Sequence, residues 1–89
     1  ENPSLSFREI RLNNLGLKLM FHPGKTEQSI KVFLLATHLY PDSANLFDSL
    51  AEAYLYANKP NEAVEAFEKS LALNPENTNA INRLKELKK

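Results

Sequence analysis

One feature of this chain constrains its fold more than any other: a pattern of side-chain sizes that recurs after 34 residues. The segment QSIKVFLLATHLYP occupies 28–41, and EAVEAFEKSLALNP occupies 62–75. Shared positions hold a small, an aromatic, a small, an aliphatic and a proline residue: Ser29 and Ala63, Phe33 and Phe67, Ala36 and Ser70, Leu39 and Leu73, Pro41 and Pro75. A fixed period of this length is typical of stacked supersecondary repeats.

The match extends towards the N-terminus of each copy, with one extra residue inside the first copy. Large residues recur there in the same order: Leu12, Leu15 and Leu19, then Phe47, Leu50 and Tyr54. Ile81 and Leu84 take the large positions of a third, partial copy. Because apolar residues are spaced by three and four, the segments are predicted to be helices and not strands. We expect five of them, near 7–21, 26–39, 43–57, 60–73 and 78–88.

Local signals mark the helix ends. Ser6 and Glu9 have the spacing of a capping box, and Leu5 and Ile10 have the spacing of a hydrophobic staple. Pro60 suits the first turn of the fourth helix, where a missing N–H is tolerated. The short loops predict that successive helices are antiparallel neighbours.

Small residues recur at fixed places in the repeat, and we expect helix backbones to approach closely there. Added bulk at such a place costs roughly 1–3 kcal/mol through overpacking. The positions are Gly16, Ser29, Ala36, Ala51, Ala63 and Ser70.

This pattern resembles the tetratricopeptide repeat. Residues 9–43 carry a degenerate version of the family's residue pattern, and 44–77 carry it more fully. In this second copy the pattern comprises Phe47, Leu50, Ala51, Ala53, Tyr54, Ala63, Phe67, Ser70 and Pro75. The resemblance implies an all-α solenoid of two antiparallel helical hairpins and a C-terminal capping helix, stacked in a right-handed superhelix. We expect a single domain over 1–89, with a lead-in at 1–6, repeat 1 at 7–41, repeat 2 at 42–76 and the capping helix at 77–89.

The last helix departs from the repeat in a way that predicts its capping role. Lys85 takes the place of Gly16 and Ala51, and Lys88 takes a place that is otherwise large and apolar. Those positions would face a second helix that this copy lacks, so lysines there would solvate the open end of the stack. We therefore expect the stack to end here and the rest of a longer parent protein to precede it.

The composition argues against several function classes. Eleven basic and eleven acidic residues leave no net charge, whereas nucleic-acid and membrane-surface proteins usually carry a basic excess. The sequence has no cysteine, only two glycines, and two histidines without metal-ligand spacing, His22 and His38. Asp48 and Glu52 share a helix face and are interpreted as solvated charges. We predict no catalytic residue, metal or cofactor in this segment.

The resemblance implies that the first helix of each hairpin lines a concave groove for a protein or peptide. Carried over position by position, the groove comprises Asn13, Leu17, Phe21, Asn45, Asp48, Glu52, Tyr56, Asn82 and Arg83. Some members of the family clamp a C-terminal carboxylate with lysine, asparagine and arginine. In this chain only Arg83 fits that clamp.

Repeat 1 is more apolar than repeat 2, which suggests a second surface. Leu34 and Leu35 stand where repeat 2 has Glu68 and Lys69, and Met20 is the third member of this candidate interface. Exposed apolar surface usually marks an interface. Alternatively, a slip in helix phase turns some of these side chains inward, which Thr37 suggests.

A looser resemblance concerns the parent protein. The text SANLFDSLAEAYL, AFEKSLALNPEN and LKELKK is similar to tails that follow bacterial serine-hydrolase domains of the β-lactamase or esterase type. Two hypotheses remain open. The chain binds a peptide or helix in its groove, or it docks through the apolar face of repeat 1, onto an upstream domain or a copy of itself.

Overall fold

The computed structural model describes residues 6–89, which form five α-helices. They are α1 (Phe7–Met20), α2 (Thr26–Leu39), α3 (Ala44–Tyr56), α4 (Pro60–Leu73) and α5 (Thr78–Leu87). Helices account for 77% of the described residues, and none of these residues lies in a strand. The prediction of an all-α, tetratricopeptide-like helical repeat is confirmed, and each helix begins and ends within one residue of its expected position.

Side chains hold the helix ends as the sequence predicts. The backbone N–H of Glu9 donates to Ser6 Oγ at 3.0 Å, and the N–H of Ser6 donates to Glu9 Oε1 at 3.0 Å, which completes the capping box. Ser43 and Asn77 cap α3 and α5. The staple that involves Leu5 falls outside the described residues.

The helices pack as two hairpins, α1 with α2 and α3 with α4, and α5 packs on α4. Phe33 and Phe67, which are equivalent in the repeat, are both fully buried. Gly16 faces the Phe33 ring so closely that a Cβ atom there would lie 2.4 Å from Cζ. A close contact within the first hairpin therefore falls at a predicted small position.

Buried Ser70 is small, as the repeat requires, and its hydroxyl also forms two hydrogen bonds between elements. Its hydroxyl donates to the carbonyl oxygen of Ala44 at 2.8 Å and accepts from the Asn77 side chain at 2.8 Å. One side chain on α4 therefore contacts the start of α3 and the turn before α5. The sequence indicates its size, but the size pattern does not predict these hydrogen bonds.

The expectation that Met20 belongs to an exposed apolar surface is wrong. Met20 is 5% exposed and belongs to the core, because it lies one helical turn after Gly16 on the face that packs inward. Thr37 is also buried, and its hydroxyl donates to the carbonyl of Phe33 at 2.9 Å. Leu34 and Leu35 remain on the surface, with exposures of 46% and 52%.

Candidate protein-binding groove

The three helices expected to line the groove are linked by side-chain contacts. Ser49 Oγ on α3 donates to Asn13 Oδ1 on α1 at 2.6 Å. Glu52 on α3 pairs with Arg83 on α5. These links join α1 to α3 and α3 to α5, the three helices from which the groove residues are predicted.

An exposed aromatic pair lies on the predicted groove surface. Phe21 caps the C-terminus of α1, and Tyr56 is the last residue of α3. Their ring centroids are 5.5 Å apart at an interplanar angle of 80°, an edge-to-face arrangement. Phe21 is 62% exposed and Tyr56 54% exposed, so the pair offers a rigid apolar contact next to a phenolic hydroxyl.

A polar network lies between α3 and α5 on the same surface. Arg83 donates to both oxygens of the Glu52 carboxylate, from Nε at 2.9 Å and from Nη2 at 3.1 Å. Asn79 Nδ2 bridges the two acids, donating to Asp48 Oδ1 at 2.9 Å and to Glu52 Oε2 at 3.0 Å. Arg83 is the residue that fits the carboxylate clamp, yet its guanidinium group is already bound to Glu52.

The environment of Asp48 disfavours its charged form. Burial raises the pKa of Asp48 above its ordinary value, and the nearby carboxylate of Glu52 adds to the rise. The hydrogen bond from Asn79 opposes the shift in this pKa but does not cancel it. The surface between α3 and α5 therefore holds two acids close together, and of these two only Glu52 forms an ion pair with Arg83.

The remaining predicted groove residues differ in accessibility. Asn45 and Asn82 are exposed, whereas Leu17 is half-buried and packs against the core. Asn79 bridges the two acids but is absent from the sequence-based prediction. Its position one turn before Arg83 on α5 is the signal that would have placed it on the same face.

The second hairpin carries the family signature. Residues 44–77 match the tetratricopeptide repeat. These are the residues over which the sequence carries the repeat outline, so the family resemblance of the second copy is confirmed. Tetratricopeptide repeats generally mediate protein–protein interactions, and their all-helical fold is typically non-enzymatic. The comparison with curated proteins gave no match.

The described residues form neither a metal cluster nor a membrane-spanning helix. Within residues 6–89, no three histidine, cysteine or carboxylate side chains come together as metal ligands. None of the five helices is both long enough and apolar enough to cross a membrane. His22 is exposed, and its Nδ1 lies 3.2 Å from the carbonyl oxygen of Pro23.

Proposed function

We propose that the chain is a non-catalytic interaction module that binds a peptide or helix of a partner protein across α1, α3 and α5. The exposed pair of Phe21 and Tyr56 carries this proposal. Aromatic side chains are enriched among the residues that dominate binding energy at protein interfaces. These two are already packed against each other, so little side-chain entropy is lost when a partner covers them.

Two asparagines supply the polar part of the proposed contact. Asn45 and Asn82 are exposed on α3 and α5, and each side chain can both donate and accept hydrogen bonds. Glu52 and Arg83 satisfy each other and are assigned to holding α5 in place. Their replacement would disturb the fold together with binding, so they are poor probes of the groove.

The test begins with peptides selected for binding to the intact chain from a random display library. Affinity is then measured for a Phe21→Ala/Tyr56→Ala variant and for Asn45→Ala. Loss of both rings should weaken binding roughly a hundredfold, since each ring acts as an anchor. A matched control, Leu34→Glu/Leu35→Lys, changes two exposed residues elsewhere and should leave affinity unchanged. Equal affinity of the peptides for wild type and for Phe21→Ala/Tyr56→Ala would contradict the proposal that they bind in the groove.

The exposure of Leu34 and Leu35 favours a second candidate function, structural docking through repeat 1. The docked body would be an upstream domain, for which the hydrolase resemblance suggests one type, or a second copy of the chain. Light scattering over a wide concentration range tests the second copy directly. The Leu34→Glu/Leu35→Lys variant should then dissociate any dimer. If that variant instead unfolds the chain, the leucines are core residues and this candidate fails.

A further inference from the structure

A separate cleft lies at the N-terminal end of the stack. It measures about 870 Å³ and runs along α1 to the end of α2 at Tyr40. Phe7 and Leu15 supply its exposed apolar surface, with exposures of 73% and 46%. Arg8 and Arg11 also line it. We call this the end cleft.

A shallower depression continues the end cleft along α1. The two share Arg11 and Leu15, and the depression adds Asn14 and Lys18. Residues 7, 11, 15 and 18 recur at helical spacing, so they form one stripe along α1. This stripe points away from Gly16 and Met20, which face the core.

Comparison with α3 shows what is unusual about this stripe. Thirty-five residues later, Leu46, Leu50 and Ala53 take the positions of Arg11, Leu15 and Lys18. All three are buried in α3, with exposures of 0%, 4% and 0%. The stripe therefore keeps the central leucine of a stacking face and replaces the residues on either side with bases.

The charges decide what kind of partner fits the end cleft. An uncharged helix packed there would remove Arg11 and Lys18 from water without a compensating carboxylate, which is unfavourable. No acid lines either depression among the described residues. The excess of basic residues extends over the first hairpin, because residues 6–41 hold five basic and two acidic residues, a net charge of +3. A second copy using the same surface would place like charges against each other.

We propose that the end cleft binds an acidic amphipathic helix of a partner protein. The apolar stripe of that helix would cover Phe7 and Leu15, and carboxylates on either side of it would pair with Arg11 and Lys18. This surface shares no residue with the groove of Phe21 and Tyr56, so binding at the end cleft does not depend on binding in the groove.

The experiment uses two labelled helical peptides of about 16 residues, long enough to form roughly four turns. Both carry one leucine stripe, which is flanked by glutamates in one peptide and by lysines in the other. Binding to the full chain is followed by fluorescence anisotropy. The acidic peptide should bind roughly tenfold tighter or better, and added salt should weaken its binding.

Charge variants locate the binding surface. Arg11→Glu/Lys18→Glu should reverse the preference between the peptides, and Arg11→Gln/Lys18→Gln should abolish the preference without reversing it. The matched control, Lys85→Glu/Lys89→Glu, makes the same change in net charge at the other end of the chain and should retain the wild-type preference. Circular dichroism verifies that each variant is folded.

Three results would overturn the proposal. Equal affinity for the acidic and basic peptides would show that charge does not select the partner. If Phe21→Ala/Tyr56→Ala lost binding of the acidic peptide while Arg11→Glu/Lys18→Glu kept it, the peptide would bind in the groove and not in the end cleft. Binding to vesicles of one part phosphatidylserine to three parts phosphatidylcholine, without binding to the acidic peptide, would identify a membrane surface instead.

Discussion

Gly16 leaves no room for a larger side chain in the first hairpin. In Gly16→Ala the new Cβ would lie 2.4 Å from Cζ of Phe33, so the ring or the helix must shift. Alanine favours helices over glycine by about 1 kcal/mol, but overpacking costs roughly 1–3 kcal/mol. We expect a net loss of about 1 kcal/mol in the free energy of unfolding, measured by urea denaturation.

The partner ring provides the control for this prediction. Combining Gly16→Ala with Phe33→Leu should cost less than the sum of the two single changes, because the smaller side chain makes room for the methyl group. Additive costs, or a Gly16→Ala variant more stable than wild type, would mean that the contact with Phe33 does not limit the approach of α1 to α2.

Asp48 gives the folded chain a dependence on pH with a definite sign. Because its pKa is raised in the folded state, the folded chain binds the proton more tightly than the unfolded chain does. The charged carboxylate therefore lowers stability at neutral pH. The penalty disappears as pH falls through the raised pKa and below the ordinary value of 3.8.

We accordingly expect Asp48→Asn to stabilise the chain at pH 7 by up to about 1 kcal/mol, with the remaining exposure of the site limiting the gain. The asparagine oxygen can still accept from Asn79. Thermal unfolding of both proteins between pH 3 and pH 7 measures the difference, which should vanish at the acid end. The exposed Asp42→Asn is the matched control, and an equal gain there would attribute the effect to net charge.

At the scale of helices, the sequence predicts most of the fold but less of the binding surface. The spacing of apolar residues and the capping box of Ser6 and Glu9 predict the helices, because both depend on residues close in the chain. The sequence pattern misplaces Met20, because its burial depends on how α1 is rotated against its neighbours. The bridge from Asn79 depends on the tertiary placement of α5, which the repeat pattern does not specify.

An ion pair between Arg83 and Glu52 links the last helix, α5, to α3. The Glu52 side chain is only 17% exposed and accepts two hydrogen bonds from Arg83. In Arg83→Gln this carboxylate would keep only the neutral donor of Asn79. The free energy of unfolding should fall by about 1–2 kcal/mol. We expect faster amide hydrogen exchange throughout α5, with little change in α1. Lys85→Gln removes the same charge from an exposed site on α5 and should leave exchange unchanged.

At the scale of the whole molecule, zero net charge conceals an uneven distribution. Residues 6–41 carry +3, whereas 42–89 hold six bases and eight acids, a net charge of −2. Both ends of the stack nevertheless present basic residues: Arg11 and Lys18 at the end cleft, and Lys85 beside Leu84 at the other end, where Lys88 pairs with Glu68. End-to-end contacts between copies would therefore bring like charges together, whichever ends met.

We expect the chain to be monomeric over a wide concentration range at physiological ionic strength, as measured by light scattering. Phe7 and Leu15 expose apolar surface that favours association, but the neighbouring basic residues oppose it. Neutralising them in Arg11→Gln/Lys18→Gln should therefore produce association that rises with concentration. A wild-type dimer that dissociates on Leu34→Glu/Leu35→Lys would contradict this expectation. It would place the contact on the outward face of α2, where the bases of the end cleft do not oppose it.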